Sequence, residues 1–391
     1  MLKPHAATIA STFAPPVMEA RRWLDGVVMP DDRPLLNLSQ AAPVAPPPAA
    51  LRAALAAAVA EDDSHMYGPV LGLPALRAEI AARWSADYRG DIRAEDVAIT
   101  SGCNQAFAAA MSTIAAPGES VILPTPYYFN HKMWLDMQGI NAIPLPCGDG
   151  MLPDLAQAEA LISPSTRAIV LISPNNPTGA EYPRALMTGF LALARQLGLA
   201  LIIDETYRDF HADPHPVHDL FADQKWRDTL VHLYSFSKVF RLTGHRVGAL
   251  VTSPARLAEA EKFLDTVAIC PNQLGQKAAL FGLRNLQDFI AEERAEILRR
   301  RAIVKVGFSN LAGWHLLGCG AYFAYVQYDM EIDSDTLAKR LVTEASLLVL
   351  PGTMFAPSDD IAAKRQLRIA FANANAAELA TLFARLAAFQ P

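Results

Sequence analysis

No Cys-x-x-Cys pair occurs in the chain, and its four cysteines, Cys103, Cys147, Cys270 and Cys319, stand apart. No Cys/His cluster has the spacing that holds zinc. These absences exclude a zinc module and a disulfide scaffold, so reduced thiols in a cytoplasmic protein are expected. There is no Lys/Arg block either. The 34 basic and 40 acidic residues leave a formal charge of −6, the wrong sign for a nucleic-acid backbone or an anionic membrane surface. No apolar run approaches the roughly 18 residues that span a bilayer. The N-terminus lacks a basic stretch followed by an apolar one, so no secretory signal is expected. What is present is ordinary globular composition, 52% apolar and 19% charged, in 391 residues. Such a chain buries a large core without metals or cross-links.

Residues 1–44 read as irregular, and Pro46-Pro47-Pro48 stiffens the approach to a first helix near 49–61. Leu51, Leu55 and Val59 recur at i, i+4, i+8, which favours an amphipathic helix over low complexity. Turn residues at Tyr67-Gly68-Pro69 and Leu71-Gly72-Leu73-Pro74 precede a second helix near 74–87. From about residue 96, apolar runs alternate with helical patterns. The runs are Asp96–Thr100, Ser120–Leu123, Ala168–Ile172, Leu199–Ile203, Leu230–Leu233 and Val247–Thr252. Fully apolar strands separated by helices predict an α/β fold with a mostly parallel sheet covered on both faces. A long helix near 285–310 leads to a second alternation, with strands at 321–328, 347–350 and 366–371 and helices at 335–345 and 375–388. The expected organisation is a large α/β domain over 45–283. A smaller α+β domain would combine residues 1–44 with 284–391.

In open α/β sheets, ligands bind beyond the carboxyl ends of the strands. Five segments sit at such ends. Ser101-Gly102-Cys103-Asn104 opens a helix, where free N–H groups and positive partial charge suit a phosphate, although a cap by Ser101 explains it as well. Tyr127-Tyr128-Phe129-Asn130-His131 offers rings that stack on a flat ligand or form an aromatic rim. Ser173-Pro174-Asn175-Asn176-Pro177-Thr178-Gly179 is a rigid turn that would aim Asn176 into a cleft. Asp204-Glu205-Thr206-Tyr207 places a carboxylate at the end of a buried strand, where it needs a cationic partner unless it merely caps a helix. Ser235-Phe236-Ser237-Lys238 precedes Arg246 by eight residues. A desolvated lysine forms imines, and an arginine fork grips a phosphate.

Taken together, these motifs resemble the class I/II aminotransferases, pyridoxal-phosphate enzymes of fold type I, from Leu38 to Phe371 and in family order. The resemblance implies that sheet fold with seven strands, the cofactor pyridoxal 5′-phosphate, and amino-acid and 2-oxo-acid substrates. It implies a Schiff base on Lys238, which also shuttles the proton of the reaction. Asp204 would keep the pyridine nitrogen protonated, braced by His131. Asn176 and Tyr207 would hydrogen-bond the phenolic oxygen, and Tyr128 would stack on the ring. Gly102, Cys103, Asn104, Ser235, Ser237 and Arg246 would line the phosphate and ring site. Tyr67 would reach the phosphate of a neighbouring subunit, which implies a homodimer with shared sites. Arg368 would clamp the substrate α-carboxylate, with Ala41 and Asn176 beside it. No metal, nucleic acid or membrane is implied.

Three positions depart from the family pattern. Ala41 stands where glycine is usual, Cys103 where a small or hydroxylated residue is usual, and Arg241 where a small residue is usual. Dicarboxylate-specific members resemble one another in a second arginine about 34 residues after the lysine. Here that region reads Cys270-Pro271-Asn272-Gln273, and the entry segment Phe13-Ala14-Pro15-Pro16-Val17 is apolar. The expectation is therefore a preference for neutral or aromatic amino acids, unless Arg241 or Lys132 swings into the pocket. Carbon–sulfur β-elimination, oxidation or cyclisation on the same scaffold are the alternatives. A pyridoxal-phosphate-sensing regulator would need an N-terminal DNA-binding domain, for which 45 irregular residues are too few.

Overall fold

The computed structural model describes residues 6–213 and 217–390. Thirteen strands are present among them. They are β1 (Leu36–Asn37), β2 (Val97–Thr100), β3 (Ser120–Thr125), β4 (Asn141–Pro146), β5 (Thr166–Ile172), β6 (Ala200–Asp204), β7 (Leu230–Ser235) and β8 (Gly248–Val251), then β9 (Trp314–Gly320), β10 (Phe323–Tyr328), β11 (Leu347–Leu348), β12 (Leu350–Pro351) and β13 (Gln366–Ala370). Seven form one sheet in the order β2-β8-β7-β6-β5-β3-β4. Every pairing is parallel except those of β8, which runs antiparallel to β2 and β7.

Strand side chains alternate between faces, and here both faces are apolar. Ile99, Ile122, Ile169, Leu171, Leu201 and Ile203 pack into one core layer. Their neighbours Ala98, Val121, Leu123, Val170, Ile202 and Val231 pack into the opposite one. Helices supply the covering stripes: Arg184–Gln196 buries Met187, Phe190, Leu191 and Ala194, one face at helical spacing. The strands predicted from apolar runs are all present.

A second sheet, β12-β13-β10-β9, is antiparallel throughout. The arm joins this part of the chain, because β1 pairs with β11 and the Leu38 carbonyl accepts the Ala370 N–H at 2.8 Å. The run predicted as one strand at 347–350 is divided, with Leu347–Leu348 pairing to β1 and Leu350–Pro351 to β13.

Other differences have local causes. The arm is not wholly irregular: it holds helices Ala7–Ser11 and Pro16–Arg22, the second started by a proline at its first turn. β4 was not predicted because Pro144 and Pro146 argue against a strand, but it lies on the sheet edge, where a missing N–H is tolerated. β9 was not predicted because Gly318 and Gly320 lower strand propensity. Those glycines are required. A Cβ on Gly320 would collide with the Gly179 carbonyl, and one on Gly318 with the Thr178 carbonyl. The Asn-Pro-Thr-Gly turn and β9 thus meet backbone to backbone.

Candidate active site

The ends of β2, β5, β6 and β7 converge on one cleft. Cys103, Asn104, Tyr128, Asn176, Asp204, Tyr207, Ser235, Ser237, Lys238 and Arg246 all line it. Ile172 and Thr206 also do, and neither was singled out in the sequence. Thr206 had a signal: it lies two residues after an aspartate, and its N–H donates to Asp204 Oδ1 at 2.9 Å, an Asx turn.

At one end, helix Cys103–Ser112 begins after Gly102 with no side-chain cap. The expected alternative, a cap by Ser101, does not form; the Ser101 N–H instead meets Gln105 Oε1 at 2.5 Å. Gly102 has φ +83°, and a Cβ there would collide with the Arg246 guanidinium. Arg246 also donates to Ser237 Oγ at 3.3 Å and to the Thr243 carbonyl at 3.1 Å. A helix N-terminus, a guanidinium and two serines therefore face the same small volume.

Asp204 lies at the floor, 3% exposed. Burial raises a carboxyl group, but His131 and the Thr206 N–H outweigh it and hold Asp204 below its ordinary value. His131 Nε2 is 3.3 Å from Asp204 Oδ2, and its ring stacks on Phe107 at 3.9 Å. The Cys103 thiol is buried, which pushes it well above its usual range, and it adjoins Asp204 and Thr206. Glu205 turns to the other side of the strand, where His232 Nε2 lies 2.9 Å away and the Tyr88 hydroxyl also donates to it.

The two asparagines divide their work. Asn175 Oδ1 accepts the Thr178 N–H and hydroxyl at 3.1 and 2.9 Å, fixing the turn. That leaves Asn176 facing the cleft, where its Oδ1 accepts from Arg368 Nη1 at 3.2 Å. Tyr128 contacts the Asn104 side chain at 3.5 Å, and Tyr207 packs against Tyr322 at 5.3 Å.

Lys238 Nζ donates to the Ala41 carbonyl at 2.8 Å. Burial, and then the positive charges of Arg246 and Arg368, pull its amine down to about 8. Imine formation needs the neutral amine, whose fraction falls tenfold per pH unit below that value. The rate at which cofactor-free protein captures pyridoxal phosphate should therefore rise about tenfold from pH 6 to 7 and level off above about 8. Stopped-flow absorbance measures this; a flat profile over that range contradicts the depressed amine.

Arg368 is 2% exposed, and burial lowers it to about 10, so it stays charged at neutral pH. It donates to the Ser39 carbonyl and lies over Phe355 at 4.9 Å. Ser39 was not anticipated as its partner. Tyr67 is the one predicted site residue placed elsewhere: it is 80% exposed in a groove with Cys270, Pro271, Asn272 and Gln273. Both cations considered for the side-chain pocket are engaged. Arg241 forks onto Glu293 at 2.6 and 3.1 Å, and Lys132 meets Asp136 at 2.5 and 2.6 Å.

Among the described residues no cluster of His, Cys, Asp and Glu could hold a metal ion, and no helix is long and apolar enough to cross a membrane. The cleft fits a different group. Lys238, Arg246 and Arg368 face a single carboxylate, Asp204, so the site lacks negative charge. A phosphate near Arg246 and a carboxylate near Arg368 would supply it, and a pyridinium would suit Asp204.

The chain is 29% identical over 301 residues to an aromatic aminotransferase of Arabidopsis thaliana, covering 73% of each. It is 27% identical over 291 residues to an aspartate aminotransferase of Thermotoga maritima, covering 74% of this chain and 76% of the relative. Its fold matches that of a Thermus thermophilus aspartate aminotransferase solved with maleate, with a TM-score of 0.89, 24% identity and 99% of each chain covered. The model of the family described as aminotransferase class I and II matches residues 33–386. The chain belongs to that family and is a pyridoxal-phosphate-dependent aminotransferase.

Proposed function

We propose that the chain transfers the amino group of a neutral or aromatic amino acid to a 2-oxo acid, with Lys238 as the residue that binds the cofactor and moves the proton. The observation that carries this reading is the buried lysine lying between one arginine at a helix N-terminus and another on the opposite side. Bound pyridoxal phosphate would supply an electron sink conjugated to the substrate Cα. Gly102, Cys103, Asn104, Ser235, Ser237 and Arg246 hold its phosphate end. Asp204, with His131 behind it, keeps a proton on the ring nitrogen. Asn176 and Tyr207 donate toward the ring oxygen, and Tyr128 covers the ring face. Arg368 holds the substrate α-carboxylate, so that the Cα proton faces the Lys238 amine. The domain division 45–283 against 1–44 plus 284–391 belongs to the same reading, as does a cytoplasmic location.

The preference for uncharged side chains rests on the lining near Arg368. Phe13, Val17, Phe129, Tyr325, Met354 and Phe355 belong to one apolar cluster beside it. A side-chain carboxylate desolvated there without a partner costs several kcal/mol. One observation favours a second reading, in which dicarboxylates are accepted. Arg21, exposed on the arm helix, donates to Gln40 Oε1 at 2.5 Å, next to Ala41. The discriminating measurement is kcat/KM for phenylalanine, leucine, methionine and aspartate with a common acceptor. Phenylalanine or leucine is expected to lead. Aspartate leading by about tenfold, with that lead lost in Arg21→Ala, would establish the second reading instead.

Tyr67 is assigned to the site of a second copy, because it is exposed and lies outside its own cleft. Lys238→Ala chains mixed with an inactive Tyr67 variant should regain activity through hybrid dimers. No recovery after proven subunit exchange would show that each site comes from one chain.

A further inference from the structure

Residues 39–46 border the cleft as a strap whose carbonyls are held by distant side chains. The Ser39 carbonyl accepts from Arg368, and the Ala41 carbonyl accepts from Lys238 Nζ at 2.8 Å. Asn373 Nδ2 donates to the Gln40 and Ala42 carbonyls at 3.2 and 2.6 Å. Arg241 Nη1 donates to the Pro46 carbonyl at 3.2 Å. Two of these ties are temporary on the reading above. Lys238 leaves Ala41 when it takes the cofactor, and Arg368 turns to a carboxylate when substrate enters. The strap must then keep its place on Asn373 and Arg241 alone.

Arg241 is built for that load. It lies three residues after Lys238, and its N–H closes the same turn on the Lys238 carbonyl at 3.2 Å. Its backbone is left-handed, φ +56°, a conformation that a side chain disfavours and that persists only where surroundings over-determine it. The guanidinium supplies that determination. It makes a two-pronged pair with Glu293, Nε to Oε2 at 3.1 Å and Nη2 to Oε1 at 2.6 Å, and it lies over Phe289 at 5.2 Å. Glu293 and Phe289 stand on helix Gln287–Ser309, whose far end buries Val304 and Phe308 in the core beside the smaller sheet. The pair is about one-quarter exposed on both sides, so water screens it only in part.

We propose that Arg241 is a positioning residue for amino transfer: its pair with Glu293 anchors the Pro46 end of the strap and so keeps the Ser39 and Ala41 carbonyls in place after Arg368 and Lys238 have left them. This rests on the roles given to Lys238 and Arg368. It accounts for an arginine where the family has a small residue, in a chain whose strap carries alanine at position 41.

The test compares Arg241→Gly, which keeps the left-handed backbone and removes the guanidinium, with Glu293→Gln and with the double variant. Each single variant should raise KM for the amino donor on the order of tenfold, with kcat within about twofold, because the anchor acts on binding geometry. The double variant should be no worse than the single ones, since both remove one contact. Backbone hydrogen exchange over residues 40–46 should quicken in the cofactor-loaded variants more than in the cofactor-free ones. Unchanged KM with unchanged exchange, additive effects, or a loss confined to kcat would each overturn the proposal. If Arg241→Gly does not fold, the milder Glu293→Gln carries both measurements. Borohydride trapping of the cofactor on Lys238 of the wild type checks the underlying reading separately.

Discussion

Lys238→Ala is expected to abolish turnover and to leave the cofactor-free protein no less stable than the wild type. The loss of activity follows because no other amine lines the cleft among the described residues. The stability follows from electrostatics. Burial and two neighbouring guanidinia hold the amine at about 8 against an ordinary 10.5, so the charged form is disfavoured by up to about 3 kcal/mol, less where cleft water reaches it. A depressed lysine destabilises the fold fully below pH 8, and the penalty fades as pH rises from 8 toward 10.5. The variant should therefore exceed the wild type in denaturant midpoint at pH 7, and the gap should close by about pH 10. A variant less stable at pH 7 would mean that the lost Ala41 bond outweighs the relieved charge. Borohydride treatment of the loaded wild type should place cofactor mass on the Lys238 peptide, and mass on another lysine would refute the assignment.

Asp204→Asn is expected to lower kcat by about 10³-fold or more while cofactor binding weakens yet stays measurable. Asparagine keeps an oxygen to accept the Thr206 N–H but carries no charge to hold a proton on the ring nitrogen. The charge acts where negative charge develops during reaction, in a floor that is almost dry, so its removal falls on the chemical step rather than on binding. Asp204→Ala removes the Thr206 acceptor as well and should lower cofactor affinity further. A near-normal kcat in Asp204→Asn would show that the ring nitrogen needs no anion here.

Much of this site was legible because its groups sit where a strand ends, and apolar strands are plain in sequence. Thr100, Ile172, Asp204 and Ser235 each close a run whose two faces are both covered. What was not legible depended on the partner rather than on the residue. Pro144 and Pro146 looked like breaks until β4 proved to be an edge. Gly318 and Gly320 looked like loop residues until the Asn176 turn came to lie on them. The helix Phe129–Met137 starts without a side-chain cap, so its aromatic opening read as a rim. Arg241 had no reading because Glu293 lies 52 residues away, and the strap had none because it acts through carbonyls, which every residue shares.

The strap also has a place in time. Ser39 waits for Arg368, 329 residues later, and Gln40 for Asn373, 333 residues later. At a synthesis rate of roughly 5–20 residues per second, that interval is on the order of 15–70 seconds. Every strand of the seven-stranded sheet is complete by Val251, so that layer can close while the arm is still unmoored. β1 gains its partner only when Leu347 and Leu348 emerge. The catalytic lysine is thus in place well before the arginine that would receive its substrate, and the cleft is finished by the last residues the ribosome adds.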